Sequence, residues 1–273
     1  MAQFFARHGS CSMNAPYPIR IIQNFYICQM RYKEFVKKIT EDVDYYKQEG
    51  ADYNLYHARR FYKTYKVCSG YLKKGSRIMS LGAGTACVEK ILSQENNVEV
   101  TVVDFPEVIE GERAYYEYLG FKMIAANLSE DQLNLPHDYF DLLLFSEVVE
   151  HVPVPPQDQL RKFDACVKKK GKLVITTPNL GSVMHIIKLL LMQPLLEPPE
   201  RTFSKVIAEN QAVHRREYMP REIVDAFKKI DYRHILTEYF LYTYPKKLHL
   251  KLLYAVTSII PRFKLGMLLV GEK

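Results

Sequence analysis

The sequence predicts an α/β fold built on a doubly wound, largely parallel sheet. Three observations carry that expectation. Short, nearly continuous apolar runs such as Val100-Thr101-Val102-Val103 and Leu142-Leu143-Leu144-Phe145 have the character of strands buried on both faces. These runs alternate with helical patterns at the spacing of repeated β-α units. The first run, Arg77-Ile78-Met79-Ser80-Leu81, breaks into Gly82-Ala83-Gly84, a turn that lets a ligand approach the backbone at a helix start.

Taken in order, residues 1–20 read as a loose leader, with Arg7, His8, Pro16 and Pro18 and no apolar signal-peptide core. From Gln29 to Tyr71 the pattern is helical, rich in Tyr, Lys and Glu and punctuated by Gly50 and Gly70. These helices are expected over the C-terminal edge of the first strand. Strands are expected at 77–82, 98–104, 121–126, 140–146 and 172–177, with helices near 86–94, 107–119 and 157–169. After Pro178 the rhythm breaks into an insertion at about 180–219, which opens with a helix at 182–192 and passes through Pro194, Pro198 and Pro199. A helix at 220–229 follows, then strands near 234–240 and 265–270, separated by the basic-apolar segment Lys246 to Lys264. The expected division is an N-terminal leader and helical cap over 1–70 and a main domain over 71–273, with the insertion as a lid.

At 273 residues the chain suits one sizeable α/β domain with a subdomain. Its 48% apolar and 25% charged content is that of a globular protein rather than a disordered or fibrous one. Basic residues outnumber acidic ones 38 to 31, a net charge of +7 that favours anionic partners: nucleic acid, phosphorylated glycans or an acidic membrane face. The excess does not choose among them, and a solvated basic surface explains it equally. Cys11, Cys28, Cys68, Cys87 and Cys166 lack CxxC spacing, which argues against a disulfide framework or zinc knuckle and suits reduced thiols in the cytoplasm. No run reaches the about 18 apolar residues that span a bilayer. The stretches 183–196 and 248–270 are interrupted by Lys, His or Pro. The basic-apolar runs at 183–196 and 246–264 either lie on a membrane surface or cover a core or dimer interface.

Several further motifs follow in order. Val102-Val103-Asp104 ends the second strand on an acid, Ala125-Ala126-Asn127-Leu128 follows the third, and Phe140-Asp141 opens a fourth that leads into Glu147-Val148-Val149-Glu150-His151. Lys170-Gly171-Lys172 introduces a fifth, which ends Thr176-Thr177-Pro178-Asn179. With these, residues 70–273 resemble the class I S-adenosylmethionine-dependent methyltransferases. The resemblance implies a Rossmann-like seven-stranded sheet, mostly parallel with an antiparallel last strand, and S-adenosyl-L-methionine as cofactor. It places Gly82, Ala83 and Gly84 around the methionine end, Asp104 on the ribose hydroxyls, Asn127 on the adenine amine and Ser146 near the sulfonium. Ser80, Phe105 and Leu128 complete the implied cofactor-binding set. The family usually has an acid where this chain has Ser80, one that helps bind the cofactor's amino group, and often glycine where it has Ala86. Those departures leave a non-catalytic cofactor-binding protein as an alternative.

Glu147, Glu150 and His151 have i, i+3, i+4 spacing, so a helical turn after the fourth strand would put all three on one face at the sheet's C-terminal edge. A second block, Val213-His214-Arg215-Arg216-Glu217-Tyr218, precedes the helix at 220–229. Together the two blocks resemble small-RNA 3′-terminal 2′-O-methyltransferases; ubiquinone-pathway O-methyltransferases share the first block only. By the former resemblance Glu147, Glu150, His151 and His214 are the ligands of a Mg²⁺ or Mn²⁺ ion that lowers the pKa of the attacked hydroxyl. The alternative is that Glu150 and His151 pair with local backbone or Arg groups while His151 or His214 acts as a metal-free general base. His151, Glu147 and His214 are the expected catalytic residues.

Pro178-Asn179-Leu180-Gly181-Ser182, Gln193-Pro194, the His214 block and the ending Pro261-Arg262-Phe263-Lys264 resemble methyltransferases of bacterial glycan and secondary-metabolite clusters. There the insertion forms the acceptor lid. The expected function is therefore O-methylation of a small-molecule, sugar or natural-product hydroxyl, with peripheral membrane contact and a homodimer left as open alternatives. RNA ribose 2′-O-methylation is the alternative, supported by Arg215 and Arg216 beside His214.

Overall fold

The protein is described by a computed structural model covering residues 30–129, 133–202, 213–243 and 248–273. The expected leader, Cys11 and Cys28 lie outside the described residues. Seven strands form one sheet: β1 (Arg77–Leu81), β2 (Glu99–Asp104), β3 (Lys122–Ala125), β4 (Phe140–Ser146), β5 (Val167–Pro178), β6 (Arg233–Phe240) and β7 (Gly266–Glu272). Their spatial order is β3-β2-β1-β4-β5-β7-β6. All pairings from β3 to β5 are parallel, while β7 runs antiparallel to both β5 and β6. The expected Rossmann-like sheet with one reversed final strand is the observed one. Central strands are buried almost throughout and the edges β3 and β6 only partly, as a sheet covered on both faces requires.

Strand alternation sends side chains to two cores. Ile78, Val102, Leu142, Leu144 and Val174 face one side. There they meet Phe35 and Ile39 of α1 (Tyr32–Thr40), Phe61, Tyr65 and Cys68 of α2 (Val43–Ser69), Ile91 of α3 (Cys87–Asn96), and Tyr116 of α4 (Pro106–Tyr118). Met79, Leu81, Leu143, Phe145 and Ile175 face the other, against Phe163 of α5 (Pro156–Asp164) and Phe227 of the amphipathic helix Pro220–Lys229. Cys68, Cys87 and Cys166 are buried free thiols.

One boundary differs from the expectation. The helix predicted to reach 169 stops at Asp164, and β5 begins five residues early at Val167. The lysine run 168–170 that extends the helical pattern instead forms a bulge: pairing jumps from Phe140↔Val167 to Leu142↔Lys172, and Lys170 takes φ +66°. Lys168 bonds Asp141 of β4 at 2.7 Å. The insertion contributes α6 (Val183–Leu190), and the Lys246–Lys264 segment holds a helix, Leu248–Ile259, followed by a 3₁₀ turn, Pro261–Phe263. Among the described residues no helix is long and apolar enough to cross a membrane.

Candidate active site

Strand order reverses between β1 and β4, and a crevice opens at their carboxyl ends, as such switch points do. A cavity of about 990 Å³ occupies it, walled by the Gly82–Thr85 turn, Ser146 and Glu147 after β4, the Tyr53–Phe61 face of α2, and Met184, His185 and Lys188 of α6. This part of α2 thus forms one wall of the cavity. Asn54 of α2 anchors it by accepting from the Thr85 hydroxyl at 2.9 Å and donating to the Ile39 carbonyl at 3.1 Å.

The turn has the conformation its glycines allow. Gly82 has φ +70°, and a Cβ there would fall 2.6 Å from Val148 Cγ2; Gly84 has φ +52° with open space where its Cβ would sit. Ala86 caps α3 at φ +47°, a left-handed conformation that glycine would adopt with less strain. Asp104 is buried, and its two carboxylate oxygens accept from the N–H groups of Gly84 (3.0 Å) and Phe105 (2.9 Å). Burial pushes its pKa up while those two bonds oppose the shift. Asp104 thereby braces the turn, and Glu112 lies on the cavity wall. Asn127 Oδ1 accepts from Ser129 N–H at 3.0 Å, beside buried Leu128. Ser146 Oγ lies 3.2 Å from Thr176 Oγ1 on the cavity wall.

Ser80 is buried at the end of β1, and its hydroxyl donates to Glu89 Oε1 at 2.5 Å. Glu89 lines the cavity from the first turn of α3 and did not stand out in the sequence. The signal that points to it is an acid in the first turn of the helix after a glycine loop whose strand lacks one.

The expected helix after β4 does not form. Glu147 takes φ +58°, and residues 148–151 make a turn closed by His151 N–H to the Val148 carbonyl at 3.0 Å. The turn therefore separates Glu147 from Glu150 and His151, which stay close, with Glu150 Oε1 4.0 Å from His151 Nε2. Glu147 Oε2 accepts from Tyr242 O–H at 2.6 Å and lies 3.3 Å from Arg60 Nη1. Glu150 is fully buried: Oε2 accepts from Thr177 Oγ1 at 3.0 Å and Oε1 has no partner among the described residues. Burial, then the Glu147 charge, push its carboxyl well above the usual range.

Two bonds to the Glu150 carbonyl, from Arg215 N–H (2.8 Å) and Arg216 N–H (3.2 Å), dock the His214 block on this turn. His151 and His214 then meet with ring centroids 4.9 Å apart. One ligand atom from each of Glu150, His151 and His214 lies within 4.8 Å of the others. Glu147 stands outside that group, so the four-ligand set expected from the sequence reduces to three. Glu217, a second residue not singled out, lies 3.3 Å from His214 Nδ1 and 3.2 Å from His185 Nε2. Its hydrogen bond raises the pKa of His214, while burial, then the His214 charge, lower that of His151.

The reversed last strand, the switch-point cavity and its glycine turn define a class I methyltransferase architecture. A family model described as a methyltransferase domain matches residues 53–235, and the chain belongs to that family. Similar solved structures include an S-adenosylmethionine-dependent methyltransferase from Archaeoglobus fulgidus, with TM-score 0.52, 17% identity, and coverage of 77% of this chain and 92% of that one. Another, from Mesorhizobium loti, has TM-score 0.54 and 17% identity over 78% and 97%. The cyclase SpnF is also similar, with TM-score 0.54 and 10% identity over 77% and 80%, so the fold alone does not fix the reaction. No curated protein matches the sequence.

Proposed function

We propose that the protein transfers the methyl group of S-adenosylmethionine to a hydroxyl of a small molecule or glycan. One observation carries this reading: a single cavity runs from the Gly82–Gly84 turn to His151 and His214. The turn fits the cofactor, since Gly84 leaves open space and buried Glu89 places a carboxyl on the same wall. Gly82, Ala83, Gly84 and Ser146 would hold the methionine end, with Ser80 positioning Glu89. Asp104, Phe105, Asn127 and Leu128 would shape the nucleoside end. When bound, the cofactor supplies an electrophilic methyl group on a sulfonium.

The protein's own part is to position the acceptor and take its proton. His151 Nδ1 lies 3.0 Å from the Val213 carbonyl, so the proton sits on Nδ1 and Nε2 keeps its lone pair. The lowered pKa keeps this imidazole neutral and ready to accept the hydroxyl proton. His214, held by Glu217, sits beside it as the more basic partner. Aromatic side chains of α2, with His185 and Lys188 of α6, wall the acceptor end.

A second reading uses a divalent cation, favoured by the partnerless Glu150 Oε1 at 4.0 Å from His151 Nε2. Glu150, His151 and His214 are the residues that would hold it, and the ion would acidify the acceptor hydroxyl. The test is calorimetric titration with S-adenosylhomocysteine, followed by transfer from labelled cofactor to hydroxylated sugars and phenols. Binding and methyl ether formation are expected. No binding, or transfer only to nitrogen or RNA, overturns the proposal.

A further inference from the structure

We infer that Glu89 carries the ammonium-binding function of the cofactor site, receiving the amino group at the cofactor's amino-acid end in place of an acid on β1. The inference rests on the proposed use of S-adenosylmethionine, but its evidence is a separate feature of the cavity wall.

Glu89 is 3% exposed and lines the cavity beside the glycine turn. Its one side-chain hydrogen-bond partner is the Ser80 hydroxyl, which is neutral. Among the described residues no Lys, Arg or His lies within ion-pair distance of it. The adjacent Lys90 is committed to Asp42 at 2.5 Å and to the Lys38 carbonyl at 2.8 Å. Arg60, the next cation along the wall, is held by Glu147 at 3.3 Å. A buried carboxylate without a counter-ion is costly, and here burial indeed pushes the pKa up.

Several groups nevertheless favour the anion. Ser80, then N–H groups at the start of α3 and the more distant Arg60 charge, oppose the burial effect, and the helix N-terminus favours negative charge. An N-terminal acid that only caps its helix normally works with a Ser, Thr or Asp N-cap. Here the N-cap is left-handed Ala86, which has no side-chain bond. The result is a buried carboxyl poised on a cavity wall and lacking a cation. A primary ammonium, with three donors and a full charge, supplies it. Ser80 then acts as a positioning residue, fixing one carboxylate oxygen so that the other can meet the ligand.

The test compares two ligands by calorimetry: S-adenosylhomocysteine, which carries the amino-acid end, and methylthioadenosine, which lacks it. Glu89→Gln is expected to weaken the first by about 10- to 100-fold, the scale of a charged hydrogen bond, and to leave the second unchanged. Ser80→Asp combined with Glu89→Gln is expected to recover the lost affinity. Unchanged binding of S-adenosylhomocysteine by folded Glu89→Gln, or equal loss of both ligands, overturns the inference. If Glu89→Gln does not fold, the wild-type protein still gives an answer: equal affinity for S-adenosylhomocysteine and its deamino analogue overturns it. Wild-type protein that binds neither nucleoside removes the proposed cofactor instead, a distinguishable result.

Discussion

Arg60 of α2 and Glu147 at the left-handed corner after β4 form a buried ion pair at 3.3 Å, and Tyr242 after β6 donates to the same carboxylate oxygen at 2.6 Å. Three segments distant in sequence are thereby joined over the sheet edge. Removing one partner of such a pair strands the other charge. Arg60→Met is therefore expected to cost about 3 kcal/mol of unfolding free energy. Tyr242→Phe removes one hydrogen bond to a charged group, at about 1.5 kcal/mol. Urea denaturation of both variants checks the order; equal, negligible losses would show that the pair does not hold α2 down.

The two glycines of the turn should respond differently to alanine. Gly82→Ala combines positive φ with a Cβ 2.6 Å from Val148, whereas Gly84→Ala meets open space. Left-handed strain costs about 1–2 kcal/mol in both, and the clash adds to it only at Gly82. Thermal unfolding should rank Gly82→Ala below Gly84→Ala, and that ranking reversed would contradict the geometry.

His57 gives a pH prediction with a defined window. Burial, then the Arg60 charge, lower its pKa from 6.5 to about 4. Between those values the unfolded chain binds a proton that the folded one refuses, so this residue's contribution falls as pH drops from 6.5 to 4 and is constant below. His57→Gln is expected to gain stability relative to wild type across that window, read from denaturation midpoints at its two ends. A difference that stays flat with pH would refute the assignment.

The acid–histidine turn separates base from metal. With His151 as base, methyl transfer survives exhaustive EDTA treatment, and His151→Gln lowers kcat by about 100-fold or more. Loss of activity on EDTA and its recovery with Mn²⁺ transfers the role to an ion held by Glu150, His151 and His214.

Local patterns carried the architecture. The apolar runs of β1, β2 and β4 and the glycine turn were legible because a strand buried on both faces leaves few residue types to choose from. The end of α5 was not, because Lys168 to Lys170 suits a helix and a bulge equally, and the pairing with Asp141 that chooses between them is remote in sequence. Helical spacing at Glu147, Glu150 and His151 misled for a similar reason: a left-handed corner resets the period, and spacing says nothing of φ.

The sequence by itself thus determined the sheet, the turn and which residues were chemically able to act. Only the tertiary structure decided their partners. It gave Glu147 to Arg60 and Tyr242, drew His214 to His151 through the Glu150 carbonyl, and brought Glu89 to Ser80. Periodicity is a property of neighbours along the chain, whereas the charge environment of a buried group is set by whichever distant segments fold over it.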